Sequence, residues 1–259
     1  MKSPSVQPKS RVESGGDGIG TYLRTICEVQ KKVIESQHPL LKEIAARMAQ
    51  TVLEKKRIFV FGTGHSHMLA EEAYCRAGGI ATVVPIFLSS LMLHESIAVE
   101  AVMERTPGRA APLLERHNLC PGEMMFIYSN SGVNHLPIEM ALTARQRGVT
   151  VVGVCSFAFS AIAPLSALGK RLPEVSDYAI DNTGVPGDAM VAIGDSQTLV
   201  GPSSTIVGAT IWNALATEVA RLLHAHKGDA PIFVSQNLPG GLDRNKQMNK
   251  TWDGVPPLT

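Results

Sequence analysis

The segment SNSGVNHLPIEMA (129–141) carries the residue types that bind a phosphate group. Ser129, Ser131 and Asn134 offer hydroxyl and amide donors, and Gly132 lets a ligand approach the backbone closely. A proline and a glutamate follow at positions that suit the first turn of a helix. Hydroxyls, free N–H groups and a helix N-terminus bind phosphate without a lysine. An ordinary serine-capped helix is the alternative, which the second serine and the glycine disfavour.

A second hydroxyl-rich segment begins the longest helix pattern of the chain, GPSSTIVGATIWNALATEVARLL (201–223). Ser203, Ser204 and Thr205 follow one another, and three successive hydroxyls exceed what one helix N-cap needs. Neither this helix start nor the first has a lysine or arginine beside it. The two segments therefore indicate a phosphate carried on a neutral, sugar-like ligand.

A third segment, GTGHSH (62–67), follows an apolar run and has only part of a nucleotide-binding motif. It has two glycines of the dinucleotide fingerprint, but His67 stands where the third belongs, and no acidic residue follows about 20 positions later. The lysine of a P-loop is missing as well. We therefore expect no cofactor, and the segment is either a general anion site or a tight turn.

Three histidines, His65, His67 and His94, could form part of a metal site. The sequence has neither a CxxC nor an HExxH motif and no clustered carboxylates, so we expect no metal. His65 is expected to contact a phosphate or an opening sugar ring, and His67 to be structural.

The elements that must position these segments alternate from Arg57 onward. Short apolar runs separated by helical patterns predict an α/β domain with a doubly wound, five-stranded parallel sheet flanked by helices. In such a sheet ligands bind beyond the carboxyl ends of the strands, where the polar segments stand. The apolar runs are at 57–61, 81–87, 124–128, 149–155 and 178–181.

The rest of the chain divides by composition and pattern. Residues 1–18 are rich in Ser, Pro and Gly and are expected to be a mobile tail. Two helices are predicted in 19–56, separated at His38-Pro39. Residues 57–226 form the α/β domain, in which 96–120 is expected to add a helical pair that serves as a lid or an oligomer contact. Residues 227–259 are a C-terminal extension, expected to pack near the active site or an interface.

Composition excludes several classes of protein. The 259 residues carry a formal charge of +1 and only 5% aromatic residues, which disfavours a nucleic-acid partner. The uncharged stretch between Arg147 and Lys170 contains glycines, serines and a proline, and it is better interpreted as a buried strand and a loop than as a membrane span. Four widely spaced cysteines and the lack of an apolar leader fit a cytoplasmic protein.

The polar segments together resemble the SIS (sugar isomerase) domain family of phosphosugar isomerases and binding proteins. The resemblance rests on FGTGHSHMLAEEAYCRAGG (61–79), YSNSGVNHLPIEMALTARQRGVTVVGVCS (128–156) and PSSTIVGATIWNALATEVARLL (202–223). The GHSHMLAEE signature is similar to a subgroup sometimes labelled phosphoheptose isomerase. The resemblance implies a flavodoxin-like sheet, homodimers or homotetramers, and a sugar-phosphate ligand. It also implies phosphosugar-binding roles for Gly64, His65, Ser66, Ser129, Asn130, Ser131, Asn134, Ser203, Ser204 and Thr205.

Aldose–ketose isomerisation requires a base for the proton alpha to the carbonyl and an acid for the enediol oxygen. LMLHESIA (91–98) resembles a His-Gly-Asp segment of arabinose-5-phosphate isomerases, which implies His94 and Glu95 as this pair. Glu72, in the first βα helix, is a further candidate. The alternatives are a structural histidine beside a helix-starting glutamate, and a solvated carboxylate on a helix.

The resemblance to those isomerases is incomplete after the last long helix. They have a Ser-His-Pro-Gly-Gly segment there, whereas this chain has SQNLPGG (235–241), with Gln236 or Asn237 near the position of the histidine. His224 or His226 could substitute for it, across a subunit interface.

Three functions follow from this reading. The sequence favours a metal-independent sugar-phosphate isomerase that acts through an enediol. A sugar-phosphate lyase or etherase of the N-acetylmuramic acid 6-phosphate type needs the same proton abstraction. A non-catalytic phosphosugar sensor is the third, although no helix-turn-helix or basic region accompanies the domain.

Overall fold

The structure is a computed structural model that describes residues 8–13, 15–196, 198–227 and 229–252. Its central sheet has five parallel strands in the order β3-β2-β4-β5-β6, so the predicted fold class is confirmed. Each of the five apolar runs overlaps with one of these strands, and β2 extends one residue beyond its run, to Gly62. The strands of the described residues are β1 (Ser10–Val12), β2 (Ile58–Gly62), β3 (Val83–Pro85), β4 (Met124–Tyr128), β5 (Thr150–Cys155), β6 (Tyr178–Asp181), β7 (Ala189–Ile193) and β8 (Leu199–Pro202).

Helices cover both faces of this sheet because successive strand residues point to opposite sides. Ile58 and Val60 belong to one hydrophobic cluster with α1, α2 and α8, whereas Phe59 and Phe61 belong to another with α4, α5 and α7. The described helices are α1 (Gly18–Leu53), α2 (Met68–Ala73), α3 (Ile97–Met103), α4 (Ala110–Glu115), α5 (His135–Gln146), α6 (Phe157–Ile162), α7 (Leu172–Val175), α8 (Ser204–Lys227) and α9 (Gly241–Thr251).

The prediction of two N-terminal helices is wrong, because α1 continues through Pro39. Proline has no N–H group and removes one bond of the helical ladder, a cost of about 3 kcal/mol. Apolar residues on both sides of the proline are buried in the same cluster, among them Val29 and Val33 before it and Ile44 and Met48 after it. Their burial holds the two halves in one helix.

A second sheet was not predicted from the sequence. Its order is β1-β7-β8, with β1 parallel to β7 and β7 antiparallel to β8. Residues 1–7 and 14 of the predicted mobile tail lie outside the described residues. Within the described part of this segment, Ser10–Val12 form a strand and α1 begins at Gly18.

The C-terminal extension contacts the chain just before β3. Ala81 N donates to Pro231 O at 2.7 Å, and Gly78 N donates to Phe233 O at 2.8 Å. This is the amino end of the strand, opposite the edge where ligands bind in such sheets. Gln236 belongs to the same region, beside Cys75. Residues 228 and 253–259 of the extension lie outside the described residues.

Helix α8 is apolar, and much of it is buried in the core of the domain. Ser204–His226 is long and apolar enough to cross a membrane by length and composition. Trp212, Leu215 and Val219 are buried in the protein, and the Trp212 ring packs edge-to-face on Phe126 with centroids 5.2 Å apart. Burial in the core explains the apolar composition of this helix.

Candidate functional site

A cavity of about 710 Å³ lies at the carboxyl ends of β2, β4 and β5. Its volume is within the range of about 300–1,000 Å³ that small-molecule sites have. Four segments line it: the turns after β2 and β4, the connection between α3 and α4, and the chain from α6 onward. The lining residues are Thr63, Ser66, Glu104, Arg105, Pro107, Ser129, Asn130, Ser131, Val133, Asn134, His135, Phe159, Ala163, Pro164, Leu165, Ser166 and Ala167.

The turn after β4, residues 129–134, has the geometry of an anion-binding loop, and we call it the phosphate loop. Among the described residues, the backbone N–H groups of residues 130–135 donate no hydrogen bond, and Asn134 does not cap α5 with its side chain. Gly132 has φ of +62°, and a Cβ there would lie 3.2 Å from Cys155 Sγ. A side chain at this position would be strained, which favours glycine. The six amides precede a twelve-residue helix, whose N-terminus favours an anion.

A buried carboxylate, Glu104, lies beside the phosphate loop and lines the cavity. Its Oε2 accepts a hydrogen bond from the Thr63 hydroxyl at 2.8 Å, and its Oε1 accepts one from Asn134 Nδ2 at 2.8 Å. The Arg105 guanidinium lies 2.8 Å from Oε1. The main chain is fixed as well, because Leu136 N donates to Glu104 O at 2.9 Å. These contacts hold one carboxylate orientation next to the loop.

Glu100 stands one helical turn before Glu104, and it is also buried. Burial, followed by the charge of Glu104, raises the pKa of Glu100 to about 7. Gly64, with φ of +53°, leaves room for this carboxyl, because a Cβ there would lie 3.3 Å from Glu100 Oε1. The pair therefore retains a proton near neutral pH.

His135, the first residue of α5, adds an imidazole to the same cavity. It is buried, with 6% of its surface exposed. The cavity thus combines an imidazole and a carboxylate, the two groups that general acid–base catalysis uses most often.

The structure brings together part of the predicted phosphate site. Ser66, Ser129, Asn130, Ser131 and Asn134 line the cavity. Gly64 lies behind them, against Glu100. His65 is exposed and does not line the cavity, and its neighbour His67 is buried, with Nδ1 2.5 Å from the carbonyl oxygen of Gly64.

The hydroxyls at the start of α8 have a different partner. Ser203 N, Ser203 Oγ and Ser204 N donate to Asp188 Oδ1 at 2.9–3.0 Å, and Ser204 Oγ donates to Oδ2 at 2.6 Å. This helix start therefore already binds a carboxylate of the same chain. Ser204 and Thr205 line a narrow crevice that adjoins the cavity through Ser66, Ser129 and Asn130.

The residues that the sequence suggests as acid and base lie away from the cavity lining. His94 and Glu95 are exposed in a turn before α3, and the His94 ring is 6.0 Å from that of His67. Glu72 pairs with Arg76 and accepts a hydrogen bond from Asn213 Nδ2 at 2.8 Å. His224 and His226 are exposed near the far end of α8, about 30 Å from its start at 1.5 Å per residue.

Glu100, Glu104 and His135 were not predicted from the sequence as candidate site residues. The first two stand four apart in IAVEAVME (97–104), whose other residues are apolar, and this spacing puts them on one face of a helix. Two carboxylates on an apolar helix would have been a usable signal. His135 directly follows Asn134 of the phosphate loop, so its position in the cavity lining could also have been anticipated.

Comparison with known proteins identifies the family. The family model described as SIS domain matches residues 21–156, from α1 to β5, including the phosphate loop and Glu104. The chain belongs to the SIS domain family. Among its relatives, a UPF0309 protein of Brucella anthropi is 41% identical over 215 residues, covering 80% of this chain and 86% of the relative. A UPF0309 protein of Brucella canis is 40% identical over 209 residues, covering 80% and 85%.

A solved structure supports the SIS fold. The phosphoheptose isomerase from Francisella tularensis aligns with a TM-score of 0.51 at 10% sequence identity, over 78% of this chain and 96% of that protein. At this identity the similarity concerns the fold alone. It agrees with the five-stranded parallel sheet described above.

Proposed function

We propose that this SIS-domain protein binds a sugar phosphate in the cavity and catalyses aldose–ketose isomerisation through an enediol, without a metal. The observation that carries the proposal is one cavity with two features. It is lined by a loop whose amides donate no hydrogen bond among the described residues, and by a buried, oriented carboxylate. The first suits a phosphate and the second suits removal of a proton from carbon.

The phosphate would bind at the phosphate loop. The amides of residues 130–135, the Ser131 hydroxyl and the positive end of the α5 dipole provide donors and a favourable field. Arg105 adds a cationic side chain to the cavity lining. A lysine is not needed, because each oxygen of a phosphate can accept bonds from neutral donors.

The proton transfer would involve Glu104 and His135. Glu104 takes the proton from the carbon alpha to the carbonyl and returns it to the neighbouring carbon. His135 moves a proton to and from the enediol oxygens, so no net proton is gained or lost. Glu100 supports this arrangement as a positioning residue, because it holds a proton beside Glu104 near neutral pH.

We also propose a cytoplasmic homo-oligomer. All four cysteines are free thiols, which fits a reducing compartment. Helix α3 exposes Ile97, Val99 and Val102, with 72%, 47% and 64% of their surfaces accessible. A row of exposed apolar side chains on one helix is typical of a subunit contact.

Two measurements test the proposed function. A thermal-shift screen against aldose and ketose phosphates of different lengths identifies the ligand, since a ligand that binds only the folded state raises the unfolding midpoint. NMR of the same mixture then distinguishes isomerisation, cleavage by a lyase, and binding alone by a sensor.

Glu104→Gln should reduce turnover by about 100-fold or more and retain ligand binding, because it removes the base and preserves the shape. Glu95→Gln and Glu72→Gln test the alternatives. If one of these abolishes turnover while Glu104→Gln leaves it intact, the base is that residue and the assignment to Glu104 is wrong.

A further inference from the structure

Two asparagine side chains join the phosphate loop to the turn that follows β6. Asn182, in that turn, is buried, with 4% of its surface exposed, and its Nδ2 donates to Asn130 Oδ1 at 2.9 Å. Asn130 belongs to the phosphate loop and lines the cavity. A buried side-chain amide thus contacts the loop at which the phosphate is proposed to bind.

The backbone fixes the direction of this contact. Gly184 N can only donate, and it lies 2.9 Å from the Asn182 side chain, so the atom that it meets is the oxygen Oδ1. The other end of the Asn182 amide is then the donor Nδ2, and the atom of Asn130 that accepts from it is Oδ1. Asn130 keeps its own Nδ2, which donates no hydrogen bond among the described residues.

The turn that carries Asn182 is strained at the next residue, Thr183. Its φ is +55°, a left-handed conformation that a β-branched residue rarely adopts. Three bonds hold it there: Thr183 N donates to Asp181 Oδ1 at 2.9 Å, Thr183 Oγ1 donates to Val29 O at 3.2 Å, and Lys9 Nζ donates to Thr183 O at 2.8 Å. Strain that several elements maintain is typical of a functional site.

We propose that Asn182 is a positioning residue, which orients the Asn130 amide so that its N–H group donates to the phosphate of the substrate. The last torsion of an asparagine side chain has two broad, nearly equivalent orientations, so a partner is needed to select one. With the amide reversed, Asn130 Oδ1 would face the phosphate oxygens and repel them. This inference rests on the proposed function, since it needs a phosphate at the phosphate loop.

Titration of the full chain at pH 8 tests this with three probes: inorganic phosphate, ribose 5-phosphate and fructose 6-phosphate. Asn130→Ala should weaken their binding by about tenfold, the effect of one hydrogen bond to a charged group. Asn182→Asp should weaken it more. The introduced carboxylate has nearly the same shape and still accepts from Gly184 N, but it cannot donate to Asn130 Oδ1. The Asn130 amide should then reverse.

The introduced charge also repels phosphate, and a double-mutant cycle separates this effect from the reversal. In the Asn130→Ala background, Asn182→Asp adds the same charge but has no amide to reorient. We expect the loss of affinity caused by Asn182→Asp to be about tenfold smaller there than in the unmodified protein. Unfolding midpoints without ligand show whether each variant has folded.

Proton NMR of the unmodified protein gives a second measurement, which does not depend on any variant at position 182. The side-chain amide protons of Asn130, identified by their loss from the spectrum of Asn130→Ala, should shift when inorganic phosphate is added.

The outcomes separate this inference from the proposed function. Equal losses from Asn182→Asp in the two backgrounds overturn the positioning role. Amide protons of Asn130 that do not shift, while Ser131→Ala still weakens phosphate binding, overturn the contact with Asn130 and leave the phosphate loop intact. Failure of all three probes to bind the unmodified protein overturns the phosphate loop as well.

Discussion

Helices α5 and α8 both begin with hydroxyl-rich segments beside the same cavity, and their N-termini are in different states. At α5 the amides of residues 130–135 donate no hydrogen bond within the described residues. At α8 the corresponding donors of Ser203 and Ser204 are bonded to Asp188. Two segments that predict the same chemistry in sequence thus have different roles in the structure.

The difference shows what decides whether the N–H donors at a helix start can bind a ligand. They cannot when a carboxylate of the same chain already accepts their hydrogen bonds. Asp188 directly follows Gly187 in a turn. Asp188 has φ of +71°, a left-handed conformation that aspartate tolerates better than most residues. Its carboxylate supplies the negative charge that the α8 dipole favours. A second anion would be repelled there, so the phosphate is expected at α5.

The largest expected effect comes from placing a carboxylate at the N-terminus of α5, where α8 has Asp188. Ser131→Asp places a carboxylate in the phosphate loop and should weaken sugar-phosphate binding by about 100-fold or more. A hydrogen bond to a charged group contributes about 1.5–3 kcal/mol, and charge repulsion adds to its loss. Calorimetric titration measures the effect. Ser131→Asn, neutral and of similar size, should cost much less, and equal losses in both variants would argue against an anion at this loop.

The next effect concerns the N-terminus of α8, whose donors are bonded to Asp188. Asp188→Asn keeps a residue that tolerates positive φ but removes the charge, and we expect a loss of about 2 kcal/mol in the free energy of unfolding. Urea denaturation measures it. Asp195→Asn is the control, because Asp195 is fully exposed and pairs only at the surface, with Arg11 at 3.3 Å. Similar stabilities of the two variants would contradict the capping role of Asp188.

A third effect is a pH dependence of stability, which arises from Glu100 beside Glu104 and the phosphate loop. The pKa of Glu100 is raised to about 7 in the folded protein, above the usual value near 4.5. The unfolded chain therefore loses this proton first, and the protein loses stability as pH rises from about 4.5 to 7. Glu100→Gln removes this loss.

We expect the stability of Glu100→Gln relative to the unmodified protein to increase by about 1.5 kcal/mol between pH 4.5 and 8. One pKa unit corresponds to about 1.4 kcal/mol, and solvent in the adjoining cavity reduces the full effect. Urea denaturation at both pH values measures the change. A difference that does not vary with pH would mean that Glu100 titrates normally.

The sequence predicts the central sheet and the phosphate loop because both depend on local patterns. MMFIY (124–128) is apolar at every position, as a strand buried on both faces must be, and the loop directly follows it. The contact between Asp188 and Ser203 depends on a turn and a second sheet that have no strong pattern of their own. Pro39 likewise indicates a break that tertiary packing overrides.

The proposed acid–base residues were not anticipated for a similar reason. His94 and Glu95 are close in sequence to the segment that lines the cavity. The chain turns before α3, and Glu104, nine residues after Glu95, reaches the cavity instead. Adjacency in sequence says little about which side chain reaches a site when a short helix intervenes.

The smallest expected effect extends the comparison to a third helix start, that of α4. The carboxylate of Glu139, on α5, accepts hydrogen bonds from the amides of Gly108, Arg109 and Ala110 at 2.8–3.3 Å, as Asp188 does for α8. These bonds tie the connection that carries Glu104 to the helix that carries the phosphate loop. Glu139 is therefore expected to be a positioning residue.

Glu139→Gln should lower the free energy of unfolding by about 1 kcal/mol and kcat about threefold, because the segment that carries Glu104 is held less firmly. KM should change little, because the amides of the phosphate loop are unaffected. Steady-state kinetics give this split, and faster hydrogen exchange at residues 108–110 would accompany it. Glu115→Gln is the matched control, since Glu115 is exposed on α4 and lies 3.8 Å from Arg147. A change in KM alone would place Glu139 at the ligand, and α5 would then bind phosphate through more than its N-terminus.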